Sequence, residues 1–247
     1  MFTGLLIFQA DPQGLEWLSL WPPGWGSNML RGLGATIQIA LGAYLLGTVI
    51  GLAGALGKMH GGPVLRAVLE VYTTLIRAVP ELVLILLLYY AGTDLLNRTL
   101  EAFGYRPIDI SGLAAGIYVI GFVMGAYAIE VLRGAMSAVP IGQVEAAKAF
   151  GMSFWQRFRR IIIPAMIPLA LPGMANLWLI VMKDTALLAV VGFTELATVT
   201  RQAAGTTREY LMFYVAAAAL YLALTIVSNI IFRRLERYYR RGQTQPV

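Results

Sequence analysis

EAAKAFGMSFWQRFRRIIIP, residues 145–164, places four basic side chains and one acidic one inside a chain that is otherwise mostly apolar. Whether this stretch is a helix lying on lipid or a contact with another protein decides what the apolar segments around it are for. The 247 residues are 58% hydrophobic and 13% charged, with a mean hydropathy of +0.70, whereas soluble domains are about a quarter charged. The composition reads as an all-α, polytopic membrane protein. Each crossing needs roughly 20 apolar residues, so the chain has room for only a handful.

Working outward from the stretch, apolar runs with charged borders predict five crossings, at about Asn28–Gly57, Val64–Gly92, Gly112–Leu132, Pro168–Val191 and Tyr210–Phe232. Glu70, Arg77, Pro80 and Glu81 interrupt the second, leaving Leu82–Tyr90 as its one unbroken apolar run, so its first half is expected at the interface. Lys58 and Arg66 follow the first span, and Arg133, Lys148, Arg157, Arg159 and Arg160 follow the third. Arg233, Arg234, Arg237, Arg240 and Arg241 follow the fifth. The opposite loops set Arg98 and Arg106 against Asp94, Glu101 and Asp109, and Arg201 and Arg208 against Glu195 and Glu209. Basic loops stay cytoplasmic, which puts the N-terminus outside and the C-terminus inside. The expected division is an external segment at 1–27, a transmembrane domain at 28–232 containing the cytoplasmic loop 133–164, and a basic cytoplasmic tail at 233–247.

The net charge of +6 is then a matter of topology and not a nucleic-acid surface. The first 30 residues hold no Lys or Arg and are broken by Pro12, Pro22 and Pro23, so a cleaved signal is not expected. With no cysteine and only His60, a thiolate metal site, a disulfide framework and a cysteine nucleophile are excluded. Neither G-x-S-x-G nor H-E-x-x-H occurs. Spans one and three are rich in small residues, with Gly112 and Gly116, and Gly121 and Gly125, at four-residue spacing. Such faces let helices approach closely in lipid, although glycine is also simply common in membrane helices.

The loop itself reads as two short helices. Pro140 suits a first helical turn, and Gly151 suits the left-handed residue past a helix end. Ser153 with Gln156 forms a capping-box pattern. Phe154, Trp155, Phe158, Ile161 and Ile162 fall on one side, with Arg157, Arg159 and Arg160 elsewhere. An amphipathic helix on anionic lipid accounts for the second helix. It does not account for the first, where Glu145, Ala146 and Ala147 offer one carboxylate beside two small side chains, a surface able to enter another protein's groove.

The spacing Glu145-Ala146-Ala147, three residues, Gly151, nine residues, Ile161 and Pro164 resembles the EAA loop of permease subunits of bacterial ABC importers. The likeness continues through VYTTLIRAVPELVLILLLYY (71–90), GAYAIEVLRGAMSAVPIGQVEAA (125–147) and NLWLIVMKDTALLAVVGFTEL (176–196). Together these resemble the polar amino acid permease family, in its histidine and opine branch, from about Asn28 onward. Ile163, where that family often has Leu, is a small departure. The resemblance implies a type I ABC importer permease fold in the bacterial plasma (inner) membrane, with Glu145, Ala146, Ala147 and Gly151 in a coupling helix seated on a separate ATPase. The implied partners are a homologous permease subunit forming a heterodimer, two ATPase subunits, an external or periplasmic solute-binding protein, membrane lipid, and a polar amino acid or opine as substrate moved by alternating access.

No cofactor is expected in this chain. The nearest approach to a phosphate-binding G-x-x-x-x-G-K-[ST] loop, GLAGALGKM at 51–59, has Leu52 for its first Gly and Met59 for the Ser or Thr, so ATP and Mg would be bound by the partner ATPase. Charges within the bilayer are costly and face protein or water. Arg77 and Glu81 flank Pro80 and are expected four residues apart on one helix face, as candidates for the substrate pathway or for an ion pair beside a kink at the interface. Lys183, Asp184 and Thr185 are candidates for the same pathway or for a compensated pair. A cavity carboxylate would attract a cationic amino acid, and a Lys or a helix N-terminus its carboxylate. Glu130 with Arg133 reads as a helix-end salt bridge, and Arg233–Arg241 as an anchor on anionic lipid. An ion-coupled secondary amino acid transporter, with Glu81 or Asp184 as relay, is the alternative.

Overall fold

Two helices, α1 (Gly26–His60) and α4 (Gly112–Ser137), form the centre of the molecule, because their small residues allow their backbones nearly to touch. A Cβ added at Gly51 would stand 2.5 Å from the Ala128 Cβ and 3.0 Å from that residue's carbonyl carbon. One added at Gly121 would stand 3.1 Å from the Ala43 carbonyl oxygen. Close approach without a bulky side chain is how helices associate in lipid, so Gly121 and Gly125 do lie on a helix contact. Gly116 faces Ile39 and Leu188, while Gly112 packs on Phe193 instead. The computed structural model describes residues 16–108 and 111–240. Residues 1–15, Asp109 and the tail from Arg241 onward lie outside the described residues.

The second expected span is two helices, α2 (Pro63–Ala78) and α3 (Glu81–Ala102), bent by 118° at the break. Val79 precedes a proline and is extended, with ψ 138°, as the clash with the proline ring requires. Pro80 has no N–H to continue the ladder. Only Thr73 and Ile76 of α2 are buried, while Val64, Val68, Val71 and Leu75 form an exposed apolar stripe of helical spacing. Arg77 and Glu81 therefore lie on different helices, and the shared helix face expected of them does not exist.

The loop is built as read, with one correction. Helix α5 (Ile141–Ala149) ends at Gly151, φ 72°, where the Gly151 N–H donates to the Lys148 carbonyl and the Met152 N–H to the Ala147 carbonyl. This pair of bonds satisfies carbonyls that a helix end leaves open. Ser153 and Gln156 close a reciprocal capping box on α6 (Phe154–Arg157). However, α6 is not a separate short helix. It runs through a π-helical turn, Phe158–Ile162, into α7 (Ile163–Asp184) and a 3₁₀ segment, Thr185–Val191, giving one rod over Phe154–Val191. Pro164 sits near the start of α7 and Pro168 and Pro172 within it. Prolines are tolerated in membrane helices where neighbouring helices and local 3₁₀ or π turns satisfy the freed backbone groups.

Residues 196–207, expected as loop, form helix α8 (Leu196–Thr207), and α9 (Tyr210–Tyr239) closes the described chain. The bundle thus offers four apolar rods and the bent pair, up to five crossings by length and composition. Ile120, Met124, Trp178, Val181 and Met182 fill the core, and the Trp178 indole N–H donates to the Ser228 hydroxyl at 2.9 Å to hold α9. Otherwise α9 buries only Phe213 and Ala217, so most of its apolar surface faces outward.

Candidate functional site

At the loop end of the bundle, α5 stands away from the body and buries only Ala147. Glu145, Ala146 and Gly151 are exposed. Because Gly151 alone sets the turn, α5 is fixed relative to α6, and through the continuous rod relative to α7. Between α5 and the ends of α1 and α4 lies a recess of about 270 Å³, lined among others by Met59, His60, Val139, Glu145, Lys148 and Phe158. Phe154 meets His60 edge-on with centroids 5.0 Å apart, so the aromatic face of α6 packs against protein as well as facing outward at Trp155.

The pathway candidates converge in part. Glu81, the first residue of α3, lies near the Asp184 carboxyl of α7 and the Tyr127 side chain of α4, with Arg77 close to the same tyrosine. Neither Glu81 nor Asp184 has a Lys or Arg within 4.0 Å among the described residues. Two half-buried carboxylates thus lie near one another without a close cation among the described residues. Lys183 is exposed and acts on Asp184 only at longer range. Thr185 is fully buried and donates to the Met182 carbonyl at 2.8 Å. Tyr127 was absent from the sequence candidates. Its position four residues before Val131 on an apolar helix carries no signal until the α2/α3 corner is folded against it.

Residues 26–241 match the family described as binding-protein-dependent transport system inner membrane component. The chain belongs to that family. The permease is 42% identical over 219 residues to the histidine/lysine/arginine/ornithine transport system permease protein HisQ of Escherichia coli (strain K12), covering 89% of this chain and 96% of the relative. It is 38% identical over 234 residues to the octopine transport system permease protein OccQ of Rhizobium meliloti, covering 94% and 99%. Among solved structures it resembles a chain from "Crystal structure of an amino acid ABC transporter with histidines", with a TM-score of 0.72 and 29% identity over 87% of this chain and 95% of that one. The expected importer-permease fold is the one observed, and the protein is a membrane-spanning transport subunit.

Two polar networks of the permease escaped the sequence reading. Lys58, counted there as a topology charge, has a side chain only 7% exposed. Its ammonium donates to Glu70 at 2.5 Å, Thr73 at 2.8 Å and Glu130 at 2.7 Å. Glu130 also receives Arg133 at 2.8 Å, the helix-end pair that was expected. At the opposite end Glu195, expected as a loop charge, is fully buried. It caps α8 by accepting from the Ala197 N–H at 2.8 Å and the Thr198 N–H at 2.7 Å, and takes the Thr36 and Tyr221 hydroxyls at 3.4 and 3.3 Å.

Proposed function

We propose that this permease is one half of an ATP-driven importer of polar, chiefly basic, amino acids or opines, working by alternating access. In this reading it pairs with a homologous permease as a heterodimer, with two ATPase subunits that bind ATP and Mg, and with an external solute-binding protein. The chain holds no cofactor of its own, the segment 1–27 and the far-end loops face outside, and loop 133–164 and the basic tail face the cytoplasm. Glu145, Ala146, Ala147 and Gly151 form the ATPase contact.

The observation that carries the reading is α5, a helix with one buried residue, joined by the left-handed turn at Gly151 to a full membrane rod. A helix so exposed and so firmly oriented suits insertion into a partner's cleft. The substrate class rests on the printed names of the relatives and on the facing Glu81 and Asp184 carboxylates, whose mutual repulsion a guanidinium or ammonium group would relieve. Arg77 and Lys183 are left to draw the substrate carboxylate, while Thr185 supports the helix turn that presents Asp184.

The test is co-purification of the detergent-solubilised permease with the ATPase encoded beside it, for the native chain and for Gly151→Asp, together with uptake in cells. The expected result is co-purification and uptake in the native chain, and loss of both in a normally inserted Gly151→Asp. Uptake driven by membrane potential, with no ATPase bound, would replace this reading with ion coupling through Glu81 or Asp184.

A further inference from the structure

Helix α2 is an unusual member of the bundle, because it leads directly to the Arg77–Glu81 corner yet buries only Thr73 and Ile76. Its polar ties are the Tyr72 hydroxyl on the Phe122 carbonyl of α4, the exposed Arg66 guanidinium on the Met59 carbonyl of α1 at 3.3 Å, and the group around Lys58. That group is closed. All three ammonium protons of Lys58 have acceptors, two of them on α2 and one on α4. The two carboxylates balance Lys58 and Arg133, with Glu130 giving Oε1 to Lys58 and Oε2 to Arg133. Lys58 itself belongs to the last turn of α1. One buried ammonium therefore ties the lightly buried α2 to the closely packed pair α1 and α4.

Its position along those helices matters as much as its bonds. Seven residues of α4 separate Glu130 from Ser137, after which the chain enters α5 through Pro140. Seven residues of α2 separate Glu70 from Arg77. At 1.5 Å per residue each interval is roughly 10 Å of rigid helix. The ammonium lies midway between the exposed helix α5 and the pathway corner.

We propose that Lys58 is a positioning residue for transport, a latch that makes the loop-side ends of α1, α2 and α4 move as one body. Displacement of α5 by the ATPase is thereby delivered to Arg77 and Glu81. This rests on the coupling-loop reading above. Without the ammonium, α4 moves with α5 while α2 lags, so ATP is hydrolysed without the substrate carboxylates being rearranged. The latch is ionic, so its strength depends on partial burial, which shields it from screening by salt. Lys58 keeps that shielding by laying its stem against apolar surface.

The experiment uses the complete transporter reconstituted in liposomes, with the native chain, Lys58→Met and Lys58→Arg. Co-purification of the ATPase, ATP hydrolysis and substrate uptake are read on each. Because the chain has no cysteine, spin labels can be attached at Ala67→Cys on α2 and Gly134→Cys on α4. Ala67 is exposed, and Gly134 has no atom within 4 Å of an added Cβ. Lys58→Met should keep the ATPase bound and hydrolysing, while uptake per ATP falls about tenfold, within the range usual for coupling between sites. The label distance should broaden, and Lys58→Arg should restore both. If Lys58→Met inserts poorly, Glu70→Ala with Thr73→Val removes the α2 partners and leaves Lys58 paired with Glu130, with the same expectation. Unchanged uptake per ATP, or an unbroadened distance, with the ATPase still bound overturns the latch alone. Failure of the native chain to bind the ATPase overturns the coupling reading and the latch with it.

Discussion

Replacing Glu195 by Gln changes one atom in a fully buried side chain, and the hydrogen bonds fix what that costs. The two backbone donors are divided between the two oxygens, Thr198 N–H on Oε1 and Ala197 N–H on Oε2. The Thr36 and Tyr221 hydroxyls can rotate to accept from an amide, but a backbone N–H cannot. Whichever way the Gln is placed, one buried N–H faces its NH₂ group and loses its acceptor. An orphaned buried donor costs about 1–3 kcal/mol. Loss of the negative charge at the N-terminus of α8 adds about 0.3–2 kcal/mol. The sum is roughly 1–5 kcal/mol, which for a chain of this size corresponds to a fall in Tm of roughly 3–20 °C. Thermal melting of the detergent-solubilised permease, followed by circular dichroism, reads it directly. Glu209→Gln is the control, since Glu209 also precedes a helix but is exposed and makes no capping bond. It should melt with the native chain. A Glu195→Gln protein melting within about 2 °C of native, less than 1 kcal/mol, would refute the claim that the carboxylate is what holds α8 in place.

Three further outcomes follow from other positions. Gly51→Leu must push α1 away from the Ala128 backbone, at a cost of about 1–3 kcal/mol or more, and should lower the yield of monodisperse protein in size-exclusion chromatography, whereas Gly134→Ala should leave it unchanged. Gly151→Asn should retain ATPase co-purification and Gly151→Val should weaken it, because a left-handed backbone costs a β-branched residue about 1–2 kcal/mol and Asn less, and no steric contact confounds the comparison. Glu81→Gln should reduce uptake of cationic substrates about tenfold more than uptake of neutral ones, about 1.4 kcal/mol of lost attraction. Equal loss for both would mean that Glu81 supports the α2/α3 corner and does not meet the substrate.

What could be read in advance was local. The Gly151 turn and the Ser153–Gln156 capping box depend on residues within a few positions of each other, and both are present as expected. The apolar rods follow from composition over some twenty residues. The errors arose where a local rule was applied across a break or where partners are distant in sequence. The four-residue spacing of Arg77 and Glu81 implied a shared face only if the helix ran through Pro80, and the proline was the signal that it does not. The span expected to begin at Pro168 instead continues back through the π turn into α6. Glu195 opens a short polar helix between two long apolar segments, and its burial depends on Thr36 and Tyr221, more than 20 residues away in either direction. Lys58 was placed correctly at a helix end, but a count of loop charges cannot see that Glu70 and Glu130 enclose it.

The two hidden networks differ in a way that bears on motion. At the loop end an ammonium and a guanidinium meet two carboxylates, with Lys58 and Glu130 each shared between two counter-ions, so that every charge is compensated within the group. At the far end one carboxylate is held by neutral donors, two of which are backbone N–H groups of the helix it caps. Shifting that carboxylate by even one bond length of separation would strand a buried donor with nothing to replace it. The far end of α1, α8 and α9 is therefore a fixed body, while the loop-side ends of α1, α2 and α4 are tied to one another at Lys58. On the coupling proposed above, a movement begun at α5 and resisted at Glu195 would change the spacing between α3 and α7, the helices that carry Glu81 and Asp184.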